Sequence, residues 1–376
     1  MRKTSNSVEV FLALLRAGLW EKDVCLSQFG DVDYVEVLCL AEEQSVVGLI
    51  AAGLEHVTDV KVPEEVTLQF VGQILQLEQQ NTAMNSFIAL AVEKLRQSGV
   101  YTLLVKGQGI AQCYERPLWR ACGDVDFFLD SINYSRAKSV LSALSDKIEE
   151  ENTERLHQGM QIGPWTVELH GSLRSGLWEK MDVGIDILQD DTFRNKHIRI
   201  WKNNGTEVPL PNSTNDVLFV FTHILQHFFQ EGIGLRQICD WCRLLWKYNN
   251  NIDKHILQSF IGSMGIWSEW LSFSSLVVNE LGMPLEAMPL FNDTYKWRRK
   301  SNLLLSCILR TGNLGHSVEK CIDSEDSFLK QKIEAAYHYT TDAIRHALIF
   351  PMDSIKVWTS VMKSGFGATA KKLNNN

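Results

Sequence analysis

The 376-residue chain is poor in proline, with only 8, and has no apolar run near the roughly 20 residues needed to cross a bilayer. Its most apolar stretch, Val217-Leu218-Phe219-Val220-Phe221, is broken within a few residues by His and Gln, so no membrane partner is expected. A basic excess is also missing, since 37 Lys plus Arg stand against 45 Asp plus Glu, a formal net charge of -8. An extended nucleic-acid surface is therefore not expected, although a few clustered cations still suffice for a triphosphate or an RNA end. Internal repeats and low-complexity blocks are absent apart from the end Lys371-Lys372-Leu373-Asn374-Asn375-Asn376, which is expected to fray. The start Met1-Arg2-Lys3 is basic, but Glu9 and Arg16 interrupt the apolar core that a secretory signal requires, which predicts retention in the cytoplasm.

The 8 cysteines form no framework: they are scattered from Cys25 to Cys321 and predict reduced thiols. Cys239-Asp240-Trp241-Cys242 has C-x-x-C spacing, yet lacks a second ligand pair for zinc and a preceding strand for redox work. It reads as two thiols on a helix face. What is present is an ordinary globular composition, 45% hydrophobic and 22% charged, in a chain long enough for about two or three domains.

Residues 1–98 predict a helical region. Val8, Phe11, Leu14, Leu15 and Leu19 recur at helical spacing, and Pro63-Glu64-Glu65 suits the first turn of a helix that continues to Gln97. The period changes in 99–212. Val100–Val105, 125–129, 165–170, 198–201 and 207–210 predict strands, with helices at about 110–114 and 134–144, so the block is α+β. Pro209 and Pro211 stop the last strand, Ser213 or Thr214 caps a helix, and 213–376 predicts a second helical region running to about Ser364.

The middle block carries the chemistry. Leu103-Leu104-Val105-Lys106-Gly107-Gln108-Gly109 is a strand leading through a glycine turn into a helix, where free backbone N–H groups can meet a phosphate. Asp124 and Asp126 are two apart on a strand, so they share a face at about 6.6–7 Å between Cα atoms. Two like charges at the head of an apolar strand call for a positive partner such as Mg²⁺. Val167-Glu168-Leu169-His170 repeats the alternation and supplies a third carboxylate, with His170 on the same face.

Lys106-Gly107, Arg120, Gly123-Asp124-x-Asp126 and Glu168 together resemble the polymerase-beta-like nucleotidyltransferase superfamily, and more closely the bacterial family known as uncharacterised nucleotidyltransferases. The resemblance implies a nucleotidyltransferase core, a small mixed sheet with helices, flanked by the two helical regions. It implies that Asp124, Asp126 and Glu168 are catalytic and bind metal, one or two Mg²⁺ ions with Mn²⁺ able to substitute. It also implies that Lys106, Gly107, Gln108 and Arg120 bind a nucleoside triphosphate such as ATP. Members often carry Ser or Gly after that glycine, where this chain has Gln108.

The likeness extends to the C-terminal region. His223 and His227 are i and i+4 on one helix, while Arg236 and Asp240 are i and i+4 on the next, across the Gly232-Ile233-Gly234 break. Antiparallel helices joined so tightly predict that the two polar stripes meet at the cleft, with Asp240 orienting Arg236. The expected reaction moves a nucleoside monophosphate to an acceptor, a small molecule, a protein or an RNA end, and releases pyrophosphate. Two alternatives stand beside it: a catalytically silent module on the same fold, and a helical scaffold with a structural middle block.

Overall fold

The computed structural model describes residues 5–195, 197–312 and 340–359. Four helices open the chain: α1 (Ser5–Trp20), α2 (Tyr34–Glu43), α3 (Val47–Glu55) and the 34-residue α4 (Glu64–Gln97). Asp33 caps α2 by accepting from the Glu36 N–H, and Pro63 precedes α4 as expected.

The sheet follows. Its strands are β1 (Leu103–Val105), β2 (Asp124–Phe128), β3 (Lys147–Ile148), β4 (His157–Ile162) and β5 (Trp165–His170), in the spatial order β1-β2-β5-β4-β3. β2 and β5 are parallel and every other pair is antiparallel, which makes a small mixed sheet. Between β1 and β2 lies the short α5 (Gly107–Ala111), and α6 (Ser131–Ser142) follows β2, capped by Asp130. Helix α7 (Glu179–Asn195) leads to the hairpin β6 (Ile198–Asn203) and β7 (Thr206–Pro211). Its turn residues Asn204 and Gly205 both take positive φ, the requirement of a tight two-residue hairpin.

The regular elements among the remaining described residues are helical: α8 (Ser213–Gln230), α9 (Leu235–Lys247), α10 (Lys254–Met264), α11 (Trp267–Asn279) and α12 (Tyr295–Thr311), then helical residues at 340–347 and 351–359. The cap of α8 is Asn212, whose side chain accepts from the Asn215 N–H at 2.9 Å, one residue before the expected Ser213 or Thr214. Cys239 and Cys242 are buried within α9, in the core rather than on an exposed face. No helix among the described residues is long and apolar enough to cross a membrane. The expected helix beyond 359, the frayed end and Cys321 lie outside the described residues.

One face of the sheet is apolar except for Gln158, whose buried side chain donates to the Glu149 carbonyl. Leu104, Val125, Phe127, Met160, Val167 and Leu169 pack beneath it against Met84, Ile88, Val92 and Leu95 of α4 and Leu141 of α6. On the other face Leu103, Val105 and Phe128 join the larger core of the N- and C-terminal helices, where Phe128 meets Phe219 of α8 at 5.5 Å. The helices are thus held over the polar end of the sheet.

Candidate active site

Alternation on two neighbouring strands builds the site. Val125 and Phe127 are buried on β2, as Val167 and Leu169 are on β5, so the residues between them turn to the opposite face. The parallel register places Asp126 beside Glu168, and β4 places His157 beside His170. α8 and α9 close over this face and leave a cavity of about 450 Å³. Lys106, Gly107, Arg120, Asp124, Asp126, Glu168, His170, His223, His227, Arg236 and Asp240 all line it.

The polar groups form a chain across the floor. Lys106 Nζ donates to Asp126 Oδ1 at 3.0 Å, and His170 Nε2 lies 2.7 Å from the same oxygen. That nitrogen is also 3.3 Å from Glu168 Oε2, which His157 Nε2 approaches at 3.2 Å. Burial works against charge on Asp126, but Lys106 and the His170 hydrogen bond outweigh it and hold the carboxyl below its usual range. Burial is likewise overcome at Glu168 by hydrogen bonds from His157 and His170, which hold it well below. Burial and Lys106 disfavour a charged His170, yet hydrogen bonds to Asp126 and Glu168 raise its proton affinity.

Asp124 behaves differently. Its carboxyl is pushed up by the neighbouring Asp126 and by burial, with Lys106 acting in the other direction. Among the described residues its carboxylate has no hydrogen bond or ion pair. Positive charge is in deficit beside Asp124, and the nearby donors are carboxylate oxygens, the type a hard divalent ion takes. Asp124 thus keeps a carboxylate free toward the cavity, but among the described residues Asp124, Asp126 and Glu168 do not bring three ligand oxygens within 4.8 Å of one another, so an ion shared by all three would draw the side chains together.

The glycine turn begins one residue earlier than its name suggests. Lys106 has φ 55° and ψ -147°, and Gly107 has φ 40°. A left-handed lysine stores roughly 1–3 kcal/mol of strain, an arrangement that collects at functional sites. A Cβ on Gly107 would lie 3.2 Å from Cys122 Sγ and 3.5 Å from the Asp124 carbonyl oxygen, so glycine lets the turn lie against β2.

Two expectations are corrected by the geometry. Gln108 does not line the cavity: it is 1% exposed, and its Nε2 donates to Asn81 Oδ1 of α4 at 2.7 Å. Asn81 in turn donates to the Leu118 and Arg120 carbonyls, so the Gln108 side chain ties α5 to α4 and to the segment before β2. Asp240 does not orient Arg236. It takes Arg120, Nε to Oδ1 at 2.9 Å and Nη2 to Oδ2 at 2.6 Å, and accepts from the Tyr114 hydroxyl at 2.8 Å. Arg236, one turn earlier on α9, donates from Nη1 to the Ala121 carbonyl, and its buried Nε has no partner.

On α8 the two histidines meet each other. Their Nε2 atoms are 3.0 Å apart, and His227 Nδ1 is 2.8 Å from Glu231 Oε2. Burial first, then Lys106, holds His223 well below its ordinary pKa and therefore neutral. His157, Arg155, Arg174 and Glu231 also line the cavity and escape a sequence reading. The Gly163-Pro164 pair marks a turn before β5, but nothing in 157–162 itself marks a strand, so His157 is placed only by the pairing of β4 with β5.

A family model described as "uncharacterised nucleotidyltransferase" matches residues 30–267, more than half of the chain. No curated protein and no solved structure matches it.

Proposed function

The chain belongs to the uncharacterised nucleotidyltransferase family, and on that premise we propose that it transfers a nucleoside monophosphate from a nucleoside triphosphate to an acceptor hydroxyl or phosphate, releasing pyrophosphate. The observation that carries this reading is the register of β2 with β5, which sets Asp126 beside Glu168 on the cavity face. In this reading Asp124, Asp126 and Glu168 would hold the divalent ion, Mg²⁺ with Mn²⁺ able to substitute, whose chemistry is charge neutralisation at the phosphates and activation of the acceptor oxygen. Lys106, at the strained turn beside Gly107, adds fixed positive charge where the triphosphate enters.

The acceptor oxygen attacks the α-phosphorus while the bond from that phosphorus to the pyrophosphate oxygen breaks. Neutral His223 takes the acceptor's proton, and His227, with Glu231 behind it, steadies the imidazole pair. Arg120 acts through position. Spent on Asp240, it fixes the segment entering β2, while the unpartnered Arg236 Nε remains for a phosphate or an acidic acceptor. The helical regions 1–98 and 213–376 flank the 99–212 core in this assignment, with α8 and α9 completing the cleft.

Equilibrium binding of a non-hydrolysable nucleoside triphosphate tests the reading. Lys106→Ala should weaken it by at least about tenfold, the loss of one charge-assisted contact. Equal affinity in the variant and the parent contradicts the assignment. A module that binds nucleotide without transferring it is the second reading, favoured by the buried Gln108 at a position where the superfamily that the sequence resembles often places Ser or Gly. Tight nucleotide binding with no transfer of label would identify it.

A further inference from the structure

β4 and β5 bring two imidazoles and a carboxylate to one point. His157 and His170 are cross-strand partners, and Glu168, two residues from His170, shares their face. One nitrogen from each ring and one Glu168 oxygen all lie within 4.8 Å of one another. Both Nε2 atoms converge on the same oxygen, Oε2, at 3.2 Å from His157 and 3.3 Å from His170. A tetrahedral ion with bonds of about 2.0 Å holds its ligand atoms roughly 3.3 Å apart. The two nitrogen–oxygen spacings stand near that value and the two nitrogens lie within 4.8 Å of each other, on residues that the strand ladder pairs.

We propose that His157, Glu168 and His170 form a three-ligand site for a borderline transition-metal dication, with Zn²⁺ the best match. Two imidazoles and one carboxylate suit that class, whereas Mg²⁺ demands octahedral oxygen and gives up its water reluctantly. Three protein ligands leave a coordination position open to the cavity, the pattern of a catalytic rather than a structural site. His157, with its side chain 34% exposed, provides the entry path. Binding releases the proton that His170 Nε2 shares with Asp126 and Glu168, and Lys106 remains on Asp126 to balance it. The site shares Glu168 with the carboxylate trio but does not rest on nucleotidyl transfer.

The test uses full-length protein stripped with a chelator and no nucleotide. Co²⁺ is titrated in and its visible absorption read, and Zn²⁺ affinity is measured against a chromophoric chelator. One equivalent of Co²⁺ should give the intense absorption of a four- or five-coordinate ion, resist an about 100-fold excess of Mg²⁺ and yield to Zn²⁺. His157→Gln should lower Zn²⁺ affinity by at least about tenfold, while Asp124→Asn leaves it within about twofold. Proton NMR of the Co²⁺ protein should show two shifted, exchangeable imidazole N–H signals, a readout that needs no variant. A pale six-coordinate spectrum, displacement by Mg²⁺, unchanged affinity in His157→Gln or no shifted imidazole signal overturns the proposal. Because nucleotide is absent throughout, failure here and failure of triphosphate binding are separate results.

Discussion

Arg120 and Asp240, drawn from the segment before β2 and from α9, meet in a buried two-point ion pair with N···O distances of 2.9 and 2.6 Å. The pair clamps the strand that carries Asp124 and Asp126 to the helix that closes the cavity.

Removing one partner leaves the other charge buried and alone. Asp240→Ala should lower unfolding free energy by about 3–5 kcal/mol, and the double replacement Arg120→Met with Asp240→Leu by much less. Denaturant melts of the two variants beside the parent decide it. A loss below about 1 kcal/mol in Asp240→Ala would mean that solvent reaches the pair.

How far the sequence announces this site depends on what each residue answers to. Asp124, Asp126, Glu168 and His170 are legible because strand alternation is a local rule, and their apolar neighbours declare which face is buried. β4 is not legible: His157-Gln158-Gly159-Met160-Gln161-Ile162 has no strong strand pattern, and pairing with β5 makes it a strand. The start of α5 at Gly107 rather than near Ile110 is equally obscure, since the turn depends on close approach to Cys122 and Asp124. Partner choice is the other gap. Gln108 reads as a phosphate ligand until Asn81 of α4 claims its amide, and Arg236 reads as Asp240's partner until Arg120 arrives from 120 positions away.

Gly107 should tolerate no side chain. Its φ of 40° and the 3.2 Å approach to Cys122 Sγ mean that Gly107→Ala costs about 1–2 kcal/mol of stability. Triphosphate affinity should fall further than this loss of stability accounts for, because the turn shifts away from β2. Melts and nucleotide titrations on the same preparation compare the two. An alanine variant with parental values in both would show that the turn accommodates a Cβ.

His346 predicts a pH dependence of stability. Burial first, then Arg345, pushes its pKa down to about 4, and its ring lies 4.4 Å from that of Phe228. The unfolded chain takes up a proton near pH 6.5 where the folded one does not. The contribution is therefore complete above about pH 6.5 and is lost progressively as pH falls toward 4, by roughly 3 kcal/mol. His346→Leu should flatten this part of the stability curve between pH 6.5 and 4. Curves for parent and variant that stay parallel across that window would contradict it.

Nucleotidyl transfer at the β2–β5 carboxylates has a direct signature in where a phosphate label ends up. The protein is incubated with a divalent ion, a cell extract and each nucleoside triphosphate labelled in turn at the α- or the γ-phosphate. Asp124→Asn and Asp126→Asn, checked for parental melting, are run beside it. Transfer predicts that an acceptor gains the α-label and never the γ-label, that pyrophosphate appears in step, and that each variant loses at least about a hundredfold in rate. Acceptor labelled from the γ-phosphate, or α-label transferred equally well by folded Asp124→Asn and Asp126→Asn, would contradict the account.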